Sequence, residues 1–168
     1  ALHLEGYSTS SKGRSSHIIE SCTFVNNFAN FGSSIFGGGT YALGINKSIF
    51  SFGKQGEAIY CAPLIDTTST HDVSCSDVYG NEGGDWVDCI EEFEDINGNF
   101  SLDPKFCNPM EGDYRLHVSS PCLAGNNPCG TQVGAFGTGC GLVEARFDII
   151  PGVFNPKSSG KLPAKLTF

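Results

Sequence analysis

Between positions 18 and 40 the apolar residues come in short clusters, Ile19, Phe24, Phe28, Phe31 and Ile35 with Phe36, each broken by Asn or Gly. Neither the period of an amphipathic helix nor a long strict alternation fits them. They predict strands of about three to five residues joined by tight turns. The pattern then recurs. SCTFVNN (21–27) parallels KSIFSFG (47–53), and both parallel CSDVYGN (75–81), which places Phe24, Phe50 and Val78 in one column and Cys22, Ser48 and Ser76 in another. GSSIFGG (32–38) likewise parallels GEAIYCA (56–62) at a step of 24 residues. Weak repeats of this length mark a solenoid, because one coil of short strands cannot bury its own inner face, whereas stacked coils bury columns of like residues. Asn at the bends can take left-handed backbone conformations and ladder its amide along the stack.

The predicted fold is therefore all-β: a parallel β-helix of about three coils within residues 1–142, closed at its C-terminal end, and a strand-forming tail over 143–168. The closure is expected in GDYRLHVSSPCLAGNNPCGTQVGAFG (112–137), a Gly-rich stretch with a short strand and a tight cysteine pair.

Composition agrees. Only 17% of residues are charged, Gly numbers 22 and Phe 13, and the runs of Ala, Leu, Glu and Lys that long helices need are missing. A net charge of -8 argues against a nucleic-acid partner, since phosphate binding needs a basic face. The acids concentrate at Asp85, Asp88, Glu91, Glu92, Glu94 and Asp95, whereas the tail from Arg146 is basic through Lys157, Lys161 and Lys165. No apolar run reaches membrane-spanning length. Ala1 is expected to be a processed terminus.

Eight cysteines, Cys22, Cys61, Cys75, Cys89, Cys107, Cys122, Cys129 and Cys140, are all disulfide candidates, which places the chain in an oxidising compartment. Zinc is the competing reading, but no Cys-x-x-Cys pair exists and the four His are scattered. Proximity in sequence favours Cys122 with Cys129 and, next, Cys75 with Cys89, although connectivity does not follow from sequence.

With these motifs in hand, the chain resembles the right-handed parallel β-helix of the pectin-lyase-like superfamily. More narrowly, it resembles the C-terminal part of secreted bacterial or archaeal β-helix repeat proteins. The residues that carry the likeness are the last coil, CSDVYGNEGGDWVDCI, then Asn97-Gly98-Asn99, Asp103-Pro104, Gly112-Asp113-Tyr114, Ser120-Pro121-Cys122 and Gly134-Ala135-Phe136-Gly137. The likeness covers about residues 18–141. RFDIIPGVFNPKSSGKLPAKLTF (146–168) resembles the start of a β-sandwich module that follows such helices. Its two strands are marginal alone, so 143–168 is either a truncated β-sandwich module or a tail whose strands pair with something else.

The resemblance implies a secreted, extracellular or cell-surface protein. It also directs the search for chemistry, because β-helix lyases and hydrolases act on polysaccharides through clustered basic and acidic groups. No Arg-x-Pro-x-x-Arg arrangement and no Asp-Asp or Gly-His-Gly signature occurs. A carboxylate pair could come from Asp85, Asp88, Glu91 or Glu92, although a solvated acidic loop explains them as well. Ser69 with His71-Asp72 has no Gly-x-Ser-x-Gly elbow. Asp95, Asn97 and Asn99 have the spacing of a calcium loop, but Phe100 and Phe106 stand where an EF-hand wants Gly and Glu, and an Asn-Gly turn is the simpler account. Calcium at this loop is the candidate cofactor. Tyr79 and Trp86, with Tyr60, are sugar-stacking candidates.

The expected function is that of a non-catalytic structural or interaction protein, self-assembling into a fibre or surface layer as a homo-oligomer or polymer. The tail residues Phe147, Ile149, Phe154, Leu162, Leu166 and Phe168 would be donated as strands to a neighbouring subunit. The alternative is a carbohydrate-binding or polysaccharide-degrading module.

Overall fold

The structure is a computed structural model and describes residues 1–6, 15–39, 41–62 and 70–141. Its first coil contains β1 (Leu2–Gly6), β2 (Ser15–Glu20), β3 (Thr23–Val25) and β4 (Phe28–Ala29). The second repeats the series as β5 (Ile35–Gly39), β6 (Tyr41–Asn46), β7 (Ile49–Ser51) and β8 (Lys54–Gln55). The third supplies β9 (Ile59–Cys61), β10 (Thr70–Ser74) and β11 (Asp77–Tyr79). Strands stack coil on coil in parallel, as β1-β5-β9, β2-β6-β10, β3-β7-β11 and β4-β8. This is a parallel β-solenoid.

The expected columns are present in register. Phe24 lies over Phe50 and Phe50 over Val78, while Ile35 lies over Ile59 and Phe36 over Tyr60. The Phe24 and Phe50 rings stack at 4.9 Å between centroids. An inner column of Ile19, Ile45 and Val73 fills the lumen, where all three are buried. Burial is what fixes this register, since a slip of one residue would turn every inward side chain outward.

The corners meet the expectation in part: Asn26 and Asn97 are left-handed, and the Asn81 and Asn99 amides bond from coil to coil, but most corner residues are not Asn. Left-handed φ angles occur at Ser21, Lys47 and Cys75 before each three-residue strand, and at Asn26, Phe52 and Gly80 after it. Only one of these six is Asn. The corner is held instead by the backbone ladder: the N–H groups of Ser21, Lys47 and Cys75 donate to Asn46, Ser74 and Asn97 carbonyls of the next rung at 3.0 to 3.2 Å. A lattice of coil-to-coil bonds tolerates the small cost of a non-Gly residue in this region.

The side-chain ladder runs through hydroxyls. The Cys22 N–H donates to Ser48 Oγ at 3.1 Å, the Ser48 N–H to Ser76 Oγ at 3.2 Å, and the Ser76 N–H to Asn99 Oδ1 at 3.0 Å. Asn99 ends this column, and its amide donates to Val73 and Phe93 carbonyls.

The C-terminal end of the stack is closed by a 3₁₀ helix, Asp88–Phe93, whose Ile90 and Phe93 enter the main core. The stretch 112–137, expected to be the plug, instead laps back along the flank. It follows β12 (Phe106–Asn108) and contains β13 (Asp113–His117), which pairs antiparallel with β12 and parallel with β14 (Thr138–Cys140). Leu116, Cys122 and Val133 cover Ile49 and Phe100 in a second core. The Gly134 N–H donates to the Lys47 carbonyl at 2.7 Å, and the Ala135 N–H to Thr23 Oγ1 of the first coil at 2.9 Å. Gly134 has a φ of +85°, and a Cβ there would strike Ile49 and Thr23, so the close approach requires glycine.

Three disulfides tie the parts together: Cys61–Cys89, Cys75–Cys129 and Cys107–Cys140. The local pairings Cys122–Cys129 and Cys75–Cys89 are not formed. Stacking brings together residues far apart in sequence, so short separation is a poor guide. Cys22 and Cys122 are free thiols.

Candidate functional site

The most chemically dense region is a cleft of about 510 Å³ lined by His71, Asp88, Cys89, Glu91 and Glu92. Strand alternation builds one wall. Along β10, Val73 points into the lumen, and His71, two residues earlier, points the same way in the column His17, Leu43, His71. The 3₁₀ helix builds the other wall. Residues three apart eclipse one another in such a helix, so Ile90 and Phe93 share the core face, while the pairs Asp88/Glu91 and Cys89/Glu92 occupy the other two sides.

Cys61 joins the walls through its bond to Cys89. His71 Nε2 lies 3.8 Å from Cys61 Sγ, and its Nδ1 is buried without a hydrogen bond. Burial holds the imidazole below its usual pKa, opposed by the Glu92 carboxylate, so the ring is neutral near pH 7 and keeps a lone pair. Behind it, the Tyr41 hydroxyl donates to Cys61 Sγ at 3.1 Å, and the Tyr41 and His71 rings are 5.4 Å apart. Gly37 sits next to Cys61 in register, and a Cβ on it would occupy the space of the Tyr41 hydroxyl. The repeat that aligns Gly37 with Cys61 thus makes room for this contact.

Of the four acids considered for a carboxylate pair, Asp88, Glu91 and Glu92 meet in the cleft and Asp85 does not. Asp85 accepts the Gly80 and Asn81 N–H groups and the Asn81 amide, all within 3.0 Å, and so holds the turn after β11. His71 and Asp72 do not act together, because adjacent strand residues face opposite ways: His71 is half-buried and Asp72 exposed. Ser69 lies outside the described residues.

The calcium triad is not assembled as a set of free oxygens. Asn99 is 4% exposed and its amide group is fully engaged in the ladder, which leaves Asp95 and Asn97 on the exposed turn. Asn97 also donates weakly to the Val73 carbonyl at 3.5 Å.

Trp86 is 5% exposed, packs in the main core and donates its Nε1–H to Ser101 Oγ at 2.6 Å, so it has no ring face for a sugar. Tyr79 is half-buried and edge-on to Phe52 at 5.8 Å, in a row that continues through Phe106 to Tyr114. Tyr60 belongs to a second row along the outside of β1, β5 and β9. There His3, Phe36 and Tyr60 stack in register, with centroids 4.9 and 5.4 Å apart, and Phe31 adds a ring 5.0 Å from Tyr60. Phe31 is 57% exposed. The sequence contains the signal for this row in the alignment of GSSIFGG with GEAIYCA, which puts Phe36 over Tyr60.

The two ends of the stack are unlike. Among the described residues, β1, β2, β3 and β4 have no strand on their outer side, whereas the opposite end is covered by Phe100 and the 3₁₀ helix. Leu2, Ile18, Phe28 and Phe31, all in the first coil or the bend after it, are exposed. The assembly residues Phe147, Ile149, Phe154, Leu162, Leu166 and Phe168 lie outside the described residues. No helix among the described residues is long and apolar enough to cross a membrane. Comparison with protein-family models, with curated proteins and with solved structures found no match to the chain.

Proposed function

We propose that this protein is an extracellular, non-catalytic scaffold that assembles with copies of itself, the C-terminal strands of one copy adding to the open edge of the next. The observation that carries this reading is the asymmetry of the stack among the described residues: one end is covered, and at the other four short strands have no described strand on their outer side, beside exposed Leu2, Ile18 and Phe28. A strand edge with unpaired N–H and C=O groups is a template for another strand. The sequence after residue 142 supplies apolar, strand-forming segments that are marginal alone. A covered end facing an open one gives a head-to-tail contact, which propagates as a filament. Three disulfides fit an oxidising compartment outside the cell.

The test is to compare the full chain with one ending at residue 142 by multi-angle light scattering and electron microscopy. The full chain should form oligomers or filaments, and the shortened chain should remain monomeric. Equal assembly of the two, or a full chain that stays monomeric at high concentration, overturns the reading.

A second reading rests on the row of His3, Phe36, Tyr60 and Phe31. A line of half-exposed rings on a flat sheet can stack successive sugars of a polysaccharide. If so, Tyr60→Ala should weaken retention on the bound polysaccharide about fivefold in affinity electrophoresis, since one stacked ring contributes roughly 1 kcal/mol. An unchanged profile across a polysaccharide panel removes it.

A further inference from the structure

We infer that Cys61, Cys89 and His71 form a redox-gated site for a thiophilic divalent cation of the zinc type, closed while the two sulfurs are bonded and opened by a dithiol reductant. Their ligand atoms already lie within 4.8 Å of one another. Tetrahedral zinc with one sulfur and one nitrogen ligand places those two atoms about 3.5 Å apart, from bond lengths of about 2.3 and 2.0 Å. His71 Nε2 stands 3.8 Å from Cys61 Sγ, so imidazole and sulfur are spaced for a shared metal before any metal arrives.

Three further features suit the same ion. Among the described residues the imidazole has no hydrogen-bonded partner other than this sulfur contact, although its Nδ1 is buried. The Tyr41 hydroxyl, 3.1 Å from Cys61 Sγ, would donate to a thiolate there and orient it as a ligand. Asp88, Glu91 and Glu92 line the same cleft, offering a carboxylate for the fourth position and a negative potential that attracts a cation.

The chemistry balances in two steps. A dithiol gives two electrons and two protons to the Cys61–Cys89 bond, leaving two protein thiols and an oxidised dithiol. The cation then binds as both thiols lose their protons, two protons being released and the metal keeping its oxidation state. His71 contributes its lone pair and releases none. Among the described residues no His completes such a three-atom cluster with either of the other two disulfides, although His117 is the register partner of Cys140, so the gate is specific to this pair.

The experiment titrates the folded protein with a phosphine reductant, which consumes one water per disulfide and is itself oxidised. Thiol-specific labelling and peptide mapping follow each of the three pairs, with and without Zn²⁺. Opening of Cys61–Cys89 should require at least tenfold less reductant when Zn²⁺ is present, while Cys75–Cys129 and Cys107–Cys140 do not shift. At the point where only Cys61 and Cys89 are open, Co²⁺ should bind one per chain with thiolate-to-metal charge transfer and the intense visible bands of a tetrahedral site. His71→Ala should weaken Co²⁺ binding at least tenfold, and Cys61→Ser/Cys89→Ser, checked for β-structure by circular dichroism, should abolish it. The inference falls if all three pairs open together, if Zn²⁺ shifts none or all of them, or if His71→Ala binds Co²⁺ as the parent does.

Discussion

Replacing Cys75 and Cys129 together by serine should lower the unfolding free energy by about 4 kcal/mol. The bond spans 54 residues, the longest of the three loops. Closing a loop of that length in the unfolded chain removes entropy worth roughly 4 kcal/mol at 25 °C. The other pairs span 33 and 28 residues and carry slightly less on the same scale, about 3.7 and 3.6 kcal/mol. Position adds to the effect of length. Cys75 is a left-handed corner between β10 and β11, and Cys129 belongs to the stretch that laps back over Ile49. Without the bond, that flank is held by hydrogen bonds such as Gly134 to Lys47 and by the small second core. Denaturant unfolding of the double variant in non-reducing buffer measures the loss. A change below about 1 kcal/mol would show that the flank holds its place without the clasp.

The second large effect is a fall in stability as pH rises, centred on Asp77. Its side chain is fully buried under the flank stretch that carries Cys122. Burial raises its carboxyl pKa to about 7, aided by repulsion from Asp85 and Asp103, and the hydrogen bonds donated by the Leu102 N–H and the Cys122 thiol oppose the rise. The sign follows from proton binding. Below about pH 4 the carboxyl is protonated both folded and unfolded and contributes no slope. Between about pH 4 and about pH 7 the unfolded chain gives up the proton while the folded chain keeps it, so stability falls by about 1.4 kcal/mol per pH unit, a total of at most about 4 kcal/mol. Above about pH 7 both states are ionised and the slope ends. The neighbouring Cys122 thiol is pushed up by burial and by Asp77, so it remains a protonated donor throughout this range. Asp77→Asn should remove this part of the slope and be more stable than the parent at pH 8. Parallel stability profiles for the two proteins from pH 4 to 8 would refute the assignment.

These two effects arise at the seam between coil and flank, where the sequence is least informative. What the sequence determined by itself is the stack. Phe24, Phe50 and Val78, the Cys22–Ser48–Ser76 column and the pairing of Ile35 with Ile59 can be aligned from the letters alone. Parallel coils in register repeat the same environment at the same interval, so burial leaves a periodic trace. What only the tertiary structure decided are the contacts between residues that share no period. The disulfide partners, the burial of Trp86 and Asn99, the corners made from Ser, Lys, Cys and Phe, and the meeting of His71 with Cys61 and the 3₁₀ helix all depend on where the chain goes after its third coil. Residues 112–137 read as a plug because they are Gly-rich and cysteine-stapled, but they lie along the flank. The 3₁₀ helix already fills the end of the lumen with Ile90 and Phe93, while the outer face of β7 leaves Ile49 to be covered. Which apolar surface remains uncovered is a property of the assembled coils, and no local pattern in the chain encodes it.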